Sequence, residues 1–162
     1  MAYSLSLMIH LLAQALWLGG IVFFLIVVGR AIHDLEPRLA IKTLNQARSG
    51  FELVSWIGIG LLLATGMFNL GLRAQAGFIP GQVWGILLGA KLFLFAAMVV
   101  HHCLQVFKYA PIISGLIAQL PQDFTAWPEP LLSHWRRWFL LLKINAALGP
   151  IAVLLGLALI EH

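Results

Sequence analysis

Residues 5–29 read LSLMIHLLAQALWLGGIVFFLIVVG, a run with no charged side chain and only Ser6, His10 and Gln14 as polar members. At 1.5 Å per residue such a run covers a hydrocarbon core of about 30 Å. In lipid each backbone N–H and C=O needs a partner within the segment, and for an isolated span only a helix supplies it. The strict alternation of a membrane β-strand is absent. No basic stretch precedes the run and no clear small-residue cleavage site follows it, so it reads as a retained transmembrane helix and not a signal peptide.

Working outward, three more runs have the same character: residues 51–72, with Glu52 at the start; residues 83–107, carrying Lys91, His101 and His102; and residues 138–160, with Lys143 and Asn145 in the early turns. The expectation is an all-α fold, an integral membrane four-helix up-down bundle occupying a single domain, 1–162. Composition agrees: 61% of residues are hydrophobic and 10% charged, against roughly 25% charged in soluble domains. The net charge of +4 comes from basic residues in short loops between apolar runs. That distribution sets membrane orientation and argues against nucleic acid as a partner; the partner is the lipid bilayer. Cys103 is the single cysteine, so no internal disulfide forms. No nucleophile–base pair, phosphate-cradling glycine loop or zinc spacing emerges.

The connections differ in kind. Residues 34–50 are polar and read as helical after Pro37, an extension of the second span. Residues 73–82 are short and broken by Gly77, Pro80 and Gly81. Residues 111–135 form the longest connection, punctuated by Pro111, Pro121, Pro128 and Pro130, with Trp127, Trp135 and Trp138 expected at headgroup level. Arg30, Arg38, Lys42 and Arg48 precede the second span. Lys108, Arg136 and Arg137 precede the fourth, whereas Arg73 stands alone between the second and third. The first and third connections are therefore expected on the cytoplasmic side of a cell inner membrane, with both termini outside. Gly81, Gly85 and Gly89 recur every four residues, a spacing that allows close helix approach and is common in membrane proteins, while Gly58, Gly60 and Gly66 read as packing positions.

Polar residues inside the spans are the candidates for function. Up-down topology makes the first and third helices parallel, and His10 and Lys91 both fall roughly 8–12 Å below the outer start. Lys91 is the only charge deep in an apolar run, at a cost of about 2.5–3.5 kcal/mol; it either snorkels to the outer headgroups or faces inward beside His10. His10 shares a helix face with Gln14 and Trp17, and its plainest reading is a neutral histidine bonded to a neighbouring helix. His102 lies eleven residues beyond Lys91, on one face with Phe95 and Met98, about 16 Å deeper. His101 points elsewhere. His33 and His134 flank the inner ends of the first and fourth helices, either solvated or gathered with His102 in a second cluster. Met8, Met67 and Met98 read as packing residues more than as soft copper ligands.

These residues resemble a known family. The run His10-Leu-Leu-Ala-Gln-Ala-Leu-Trp17-Leu-Gly-Gly20 resembles the first helix of copper-resistance protein D (CopD) domains. The same His-x6-Trp-x2-Gly spacing is similar to HemJ-type protoporphyrinogen oxidases. Arg48-Ser-Gly-Phe51 and Thr65-Gly66 resemble the second CopD helix. Trp84-Gly85, Lys91 and His102 are similar to the third helix of both groups, and Arg137 to Asn145 to the opening of the last HemJ helix. The CopD resemblance implies copper handling or uptake. The HemJ resemblance implies b-type haem held by a first-helix His and a third-helix Lys, here His10 and Lys91.

Three functions follow as expectations. The first is a membrane b-type haem protein transferring electrons or oxidising a small redox partner, with His10, Lys91 and His102 holding the cofactor and Gln14, Trp17, His101 and His134 in support. The second is a copper-handling protein with His10 and His102 as metal ligands beside Met8 and Cys103. The third is an accessory subunit of a larger membrane redox complex, or a homo-oligomer.

Overall fold

The structure, a computed structural model, describes residues 1–121, 124 and 126–161, the last two by their backbone alone. The four apolar runs form four long helices: α1, Ala2–Asp34; α2, Pro37–Gln75; α3, Gln82–Ala118; and α4, Glu129–Glu161. Each contains a stretch long and apolar enough to cross a membrane, and among the described residues there is no strand. The 39 residues of α2 measure about 58 Å, nearly twice a hydrocarbon core of about 30 Å. Its polar first third, after Pro37 at the opening of the helix, accordingly projects beyond the apolar zone.

The turn between α2 and α3 is closed by its own backbone. Gly77 adopts φ +77°, a left-handed conformation open to glycine at no steric cost. Phe78 N–H bonds to Arg73 O and Gly77 N–H to Ala74 O, each at 3.1 Å, the pairing of a Schellman helix stop. It folds the Phe78 ring back under the Arg73 guanidinium, 5.4 Å from the ring centre.

α1 packs along α2 and α3 along α4, and the two pairs meet mainly where α1 faces α4. Arg73 contacts Tyr3, Trp84 and Leu159 at one end of the bundle, while Arg48 bonds Ser114 and Gln105 bonds Trp138 toward the other. The helices therefore alternate in direction, as expected of an up-down bundle. Large apolar side chains such as Phe93 and Ile86 are 73% and 65% exposed, which is tolerable only where the surrounding medium is lipid.

Three expectations change. The long connection shrinks to residues 119–128, because α3 continues to Ala118 and α4 begins at Glu129. Pro111 follows a widened turn, Leu104–Tyr109, where the helical ladder is already interrupted, so it does not end the helix. Trp135 and Trp138 are buried in the bundle and are not displayed to headgroups. Trp138 packs tilted against Phe24 at 5.1 Å and edge-to-face against Trp135 at 5.7 Å. Gly81, Gly85 and Gly89 are exposed, with nothing within 4 Å of where a Cβ would stand. The inward face of α3 is instead carried by Trp84, Met98 and His102. Of the α2 glycines, Gly58 packs against Trp17 and Gly66 against His10, whereas Gly60 faces outward.

The two halves of the bundle differ. Toward the end with Arg48, aromatic side chains fill the interior: Phe24 lies 5.4 Å from Phe51 and 5.9 Å from Phe139. Toward the end with Arg73, small residues replace them, among them Gly66, Ala152 and Gly156, and the helices leave a cavity.

Candidate functional site: a cavity shared by four helices

The cavity measures about 350 Å³, within the ~300–1,000 Å³ typical of small-molecule and cofactor sites. All four helices line it, and its wall is mostly apolar. His10, Gln14 and Trp17 come from α1, Asn69 and Arg73 from α2, Trp84 and Lys91 from α3.

His10 and Lys91 reach this cavity at a common level for a simple reason. Tyr3 and Trp84 both converge on Arg73. Seven residues separate Tyr3 from His10 and Trp84 from Lys91, placing each about 10 Å further along parallel helices.

His10 Nδ1 lies 2.7 Å from Thr65 Oγ1. The Thr65 hydroxyl donates its one hydrogen to Leu61 O of the preceding turn, so Oγ1 accepts from the imidazole. In the neutral ring, Nδ1 then carries the hydrogen and Nε2 keeps its lone pair. Among the described residues Nε2 has no hydrogen-bond partner. The bond to a neighbouring helix is the one expected for a structural histidine. The same bond is also the usual device for orienting a metal-binding imidazole.

Lys91 is half-buried, and its Nζ lies 2.8 Å from where a Cβ on Gly156 would stand. Helical side chains lean toward the start of their helix, so the ammonium rises along the cavity wall against α4. Neither Lys91 nor Arg73 forms an ion pair among the described residues, and no acidic side chain among them lines the cavity. Trp17 and Trp84 are buried, and among the described residues their indole N–H groups and the buried Asn69 Oδ1 have no partner. At the rim, Arg73 donates to Tyr3 OH at 3.2 Å and to Leu159 O at 3.4 Å, with its guanidinium 5.8 Å from the Trp84 ring centre.

The other sequence candidates lie apart. His102 is 1% exposed and does not line the cavity. It meets Trp56 edge-on at 5.1 Å and Phe51 at 6.1 Å within the aromatic layer, and among the described residues its Nε2 has no partner. His33 is exposed beside Asp34 at 3.6 Å. His134 bonds to Pro130 O at 2.6 Å and packs near Tyr109. The cluster envisaged around His102 therefore does not assemble: aromatic rings enclose His102, while His33 lies at the far end of α1 and His134 turns back on its own helix. Among the described residues no three His, Cys, Asp or Glu side chains converge. His101 lies 2.9 Å from Asn145 Oδ1, and Asn145 Nδ2 donates to Met98 O at 3.1 Å. The pair clasps α3 to α4.

Two groups escaped the sequence reading. Arg73 entered it only as a charge for orientation; its isolation just before a Gly–Pro turn was the available signal. The second is a buried pair, Arg48–Glu52, at 2.6 Å with side chains 7% and 14% exposed. Arg48 is shared with Asn45 and with Ser114 on α3. The i,i+4 spacing of opposite charges at the start of a span marks it.

Compared with known proteins, the chain matches no family model, no curated protein and no solved structure. Fold and site together define a four-helix integral membrane protein with a cofactor-sized cavity near one end, walled by apolar side chains and provided with one imidazole and two cations.

Proposed function

We propose that this chain is a b-type haem protein of the cell inner membrane, passing electrons or oxidising a small redox partner. The observation that carries the reading is His10: its Nδ1 is held by Thr65 while Nε2 has no partner among the described residues, on a helix that lines the cavity. The donor set suits a porphyrin. Apolar walls from four helices would accommodate the ring, and His10 on α1 and Lys91 on the parallel α3 would hold its iron. When bound, haem supplies one-electron chemistry. The protein's part is to orient the imidazole through Thr65, keep bulk water from the apolar wall, and set the depth of the site through α1 and α3. By the distribution of Lys and Arg, the cavity lies toward the outer leaflet, with both termini on that side.

The test is a visible spectrum of the detergent-purified chain, expressed with haem supplied. A Soret band lost in His10→Ala supports the reading; a preparation without a Soret band refutes it. Copper handling draws less support, because Met8 is exposed on the lipid face and no three His, Cys, Asp or Glu side chains converge among the described residues. One observation favours a role beside a larger redox subunit or a second copy: the outward Gly81, Gly85 and Gly89 stripe would let another helix approach closely. The two roles are compatible.

A further inference from the structure

We propose that the cavity selects for a carboxylate: the molecule it takes is an apolar amphiphile whose acid group sits on Arg73 at the outer rim. This deepens the haem reading, whose ligand carries two acid groups, and rests on that reading for its choice of probe.

The polar groups of the wall are unequal in kind. A guanidinium carries five N–H donors and an ammonium three. Among the described residues Arg73 meets only neutral acceptors, Tyr3 OH and Leu159 O, and Lys91 meets no acceptor. Trp17 and Trp84 each add a buried indole N–H without a partner among the described residues. Against these donors stand His10 Nε2, Asn69 Oδ1 and the amide oxygen of Gln14, all uncharged. Two cations beside an apolar wall are stabilised by an occupant that brings negative charge and acceptor oxygens. Position then orients that occupant. Arg73 lies at the rim, where α1 and α3 begin and α2 and α4 end, and Lys91 stands along the wall below it. An acid group on Arg73 leaves the apolar body to run down toward His10. The wall includes Leu11, Met67 and Leu92, which are also exposed on the outer surface of the bundle. Entry from the bilayer follows, which suits an amphiphile.

The experiment compares metal-free protoporphyrin IX with its dimethyl ester, binding to the detergent-purified full chain followed by tryptophan quenching. Neither probe needs an axial ligand, so carboxylate recognition is read apart from haem ligation. The expected result is a free acid bound about tenfold or more tightly than the ester, the yield of one charge-assisted hydrogen bond. Arg73→Gln brings the two affinities within about twofold, and Arg73→Lys, which keeps the charge but not the fork, retains most of the preference. Equal affinity of acid and ester for the unmodified chain overturns the proposal, as does a preference unchanged in a folded Arg73→Gln. If that variant loses its helical circular dichroism, Arg73→Met takes its place: a lost preference supports the proposal and an unchanged one overturns it. Oleic acid against methyl oleate distinguishes the source. An Arg73-dependent preference for oleate without porphyrin binding keeps the carboxylate site and assigns it to a lipid acid. An acid preference in a chain that gives no Soret band with haem removes the haem reading alone. A Soret band without acid preference removes this inference alone.

Discussion

Thr65→Val isolates the feature on which the haem reading turns. Valine keeps the volume and branching of threonine, so the buried contact between α1 and α2 stays filled, while the acceptor 2.7 Å from His10 Nδ1 is deleted. The second bond of the hydroxyl, to Leu61 O, matters little, since that carbonyl lies within the helical ladder. Loss of one such hydrogen bond lowers stability by about 1 kcal/mol. The effect on ligation is larger. An imidazole freed at Nδ1 rotates and changes tautomer, and removing such an orienting partner typically weakens binding about 10–100-fold, which is about 1.4–2.7 kcal/mol. The assay is a haem titration of the apoprotein in detergent, read at the Soret band, with circular dichroism to confirm helix content. Thr65→Ser keeps the hydroxyl and should retain most of the affinity. A Thr65→Val chain that is folded and binds haem within about threefold of the unmodified protein would refute the argument that this bond prepares the site.

Other variants test the surrounding structure. Glu52→Ala leaves Arg48 buried without its counter-charge and should cost about 3–5 kcal/mol in denaturant unfolding, with part of the loss recovered when Arg48→Met is added; a change below about 1 kcal/mol argues against a buried pair. Gly156→Leu places a side chain where Lys91 Nζ now lies and narrows the cavity, so haem binding should fall at least tenfold while helix content stays intact. His33→Ala, at an exposed position, should leave the Soret band unchanged where His10→Ala removes it; equal occupancy in both variants contradicts the assignment of His10.

Much of the site could be anticipated from spacing, because helix geometry converts residue number into depth and direction. His10, Gln14 and Trp17 share a face at helical intervals, and all three line the cavity. Lys91, Phe95, Met98 and His102 share a face as their spacing requires, and the first three line the same cavity. Periodicity along one helix is blind to its neighbours, however. It could not tell that His102 would be enclosed by Trp56 and Phe51, that His101 would meet Asn145, or that the glycine stripe of α3 would face outward.

By itself the sequence determined the solvent and the number of spans: four uncharged or nearly uncharged apolar runs must be helical in lipid, whatever lies beside them, because the bilayer offers no backbone partners. It also determined that His10 and Lys91 would share a level, since rise per residue is a constant. Tertiary structure alone decided that these residues surround a cavity, that Thr65 holds one nitrogen of His10, and that Arg73 gathers all four helices at the rim. Those outcomes depend on which helix faces which, and that is set by the sum of side-chain volumes across the interface: aromatic rings fill the space between the four helices near Arg48, leaving only an open groove on the α1–α2 seam, and glycine and alanine leave the four-helix cavity toward Arg73.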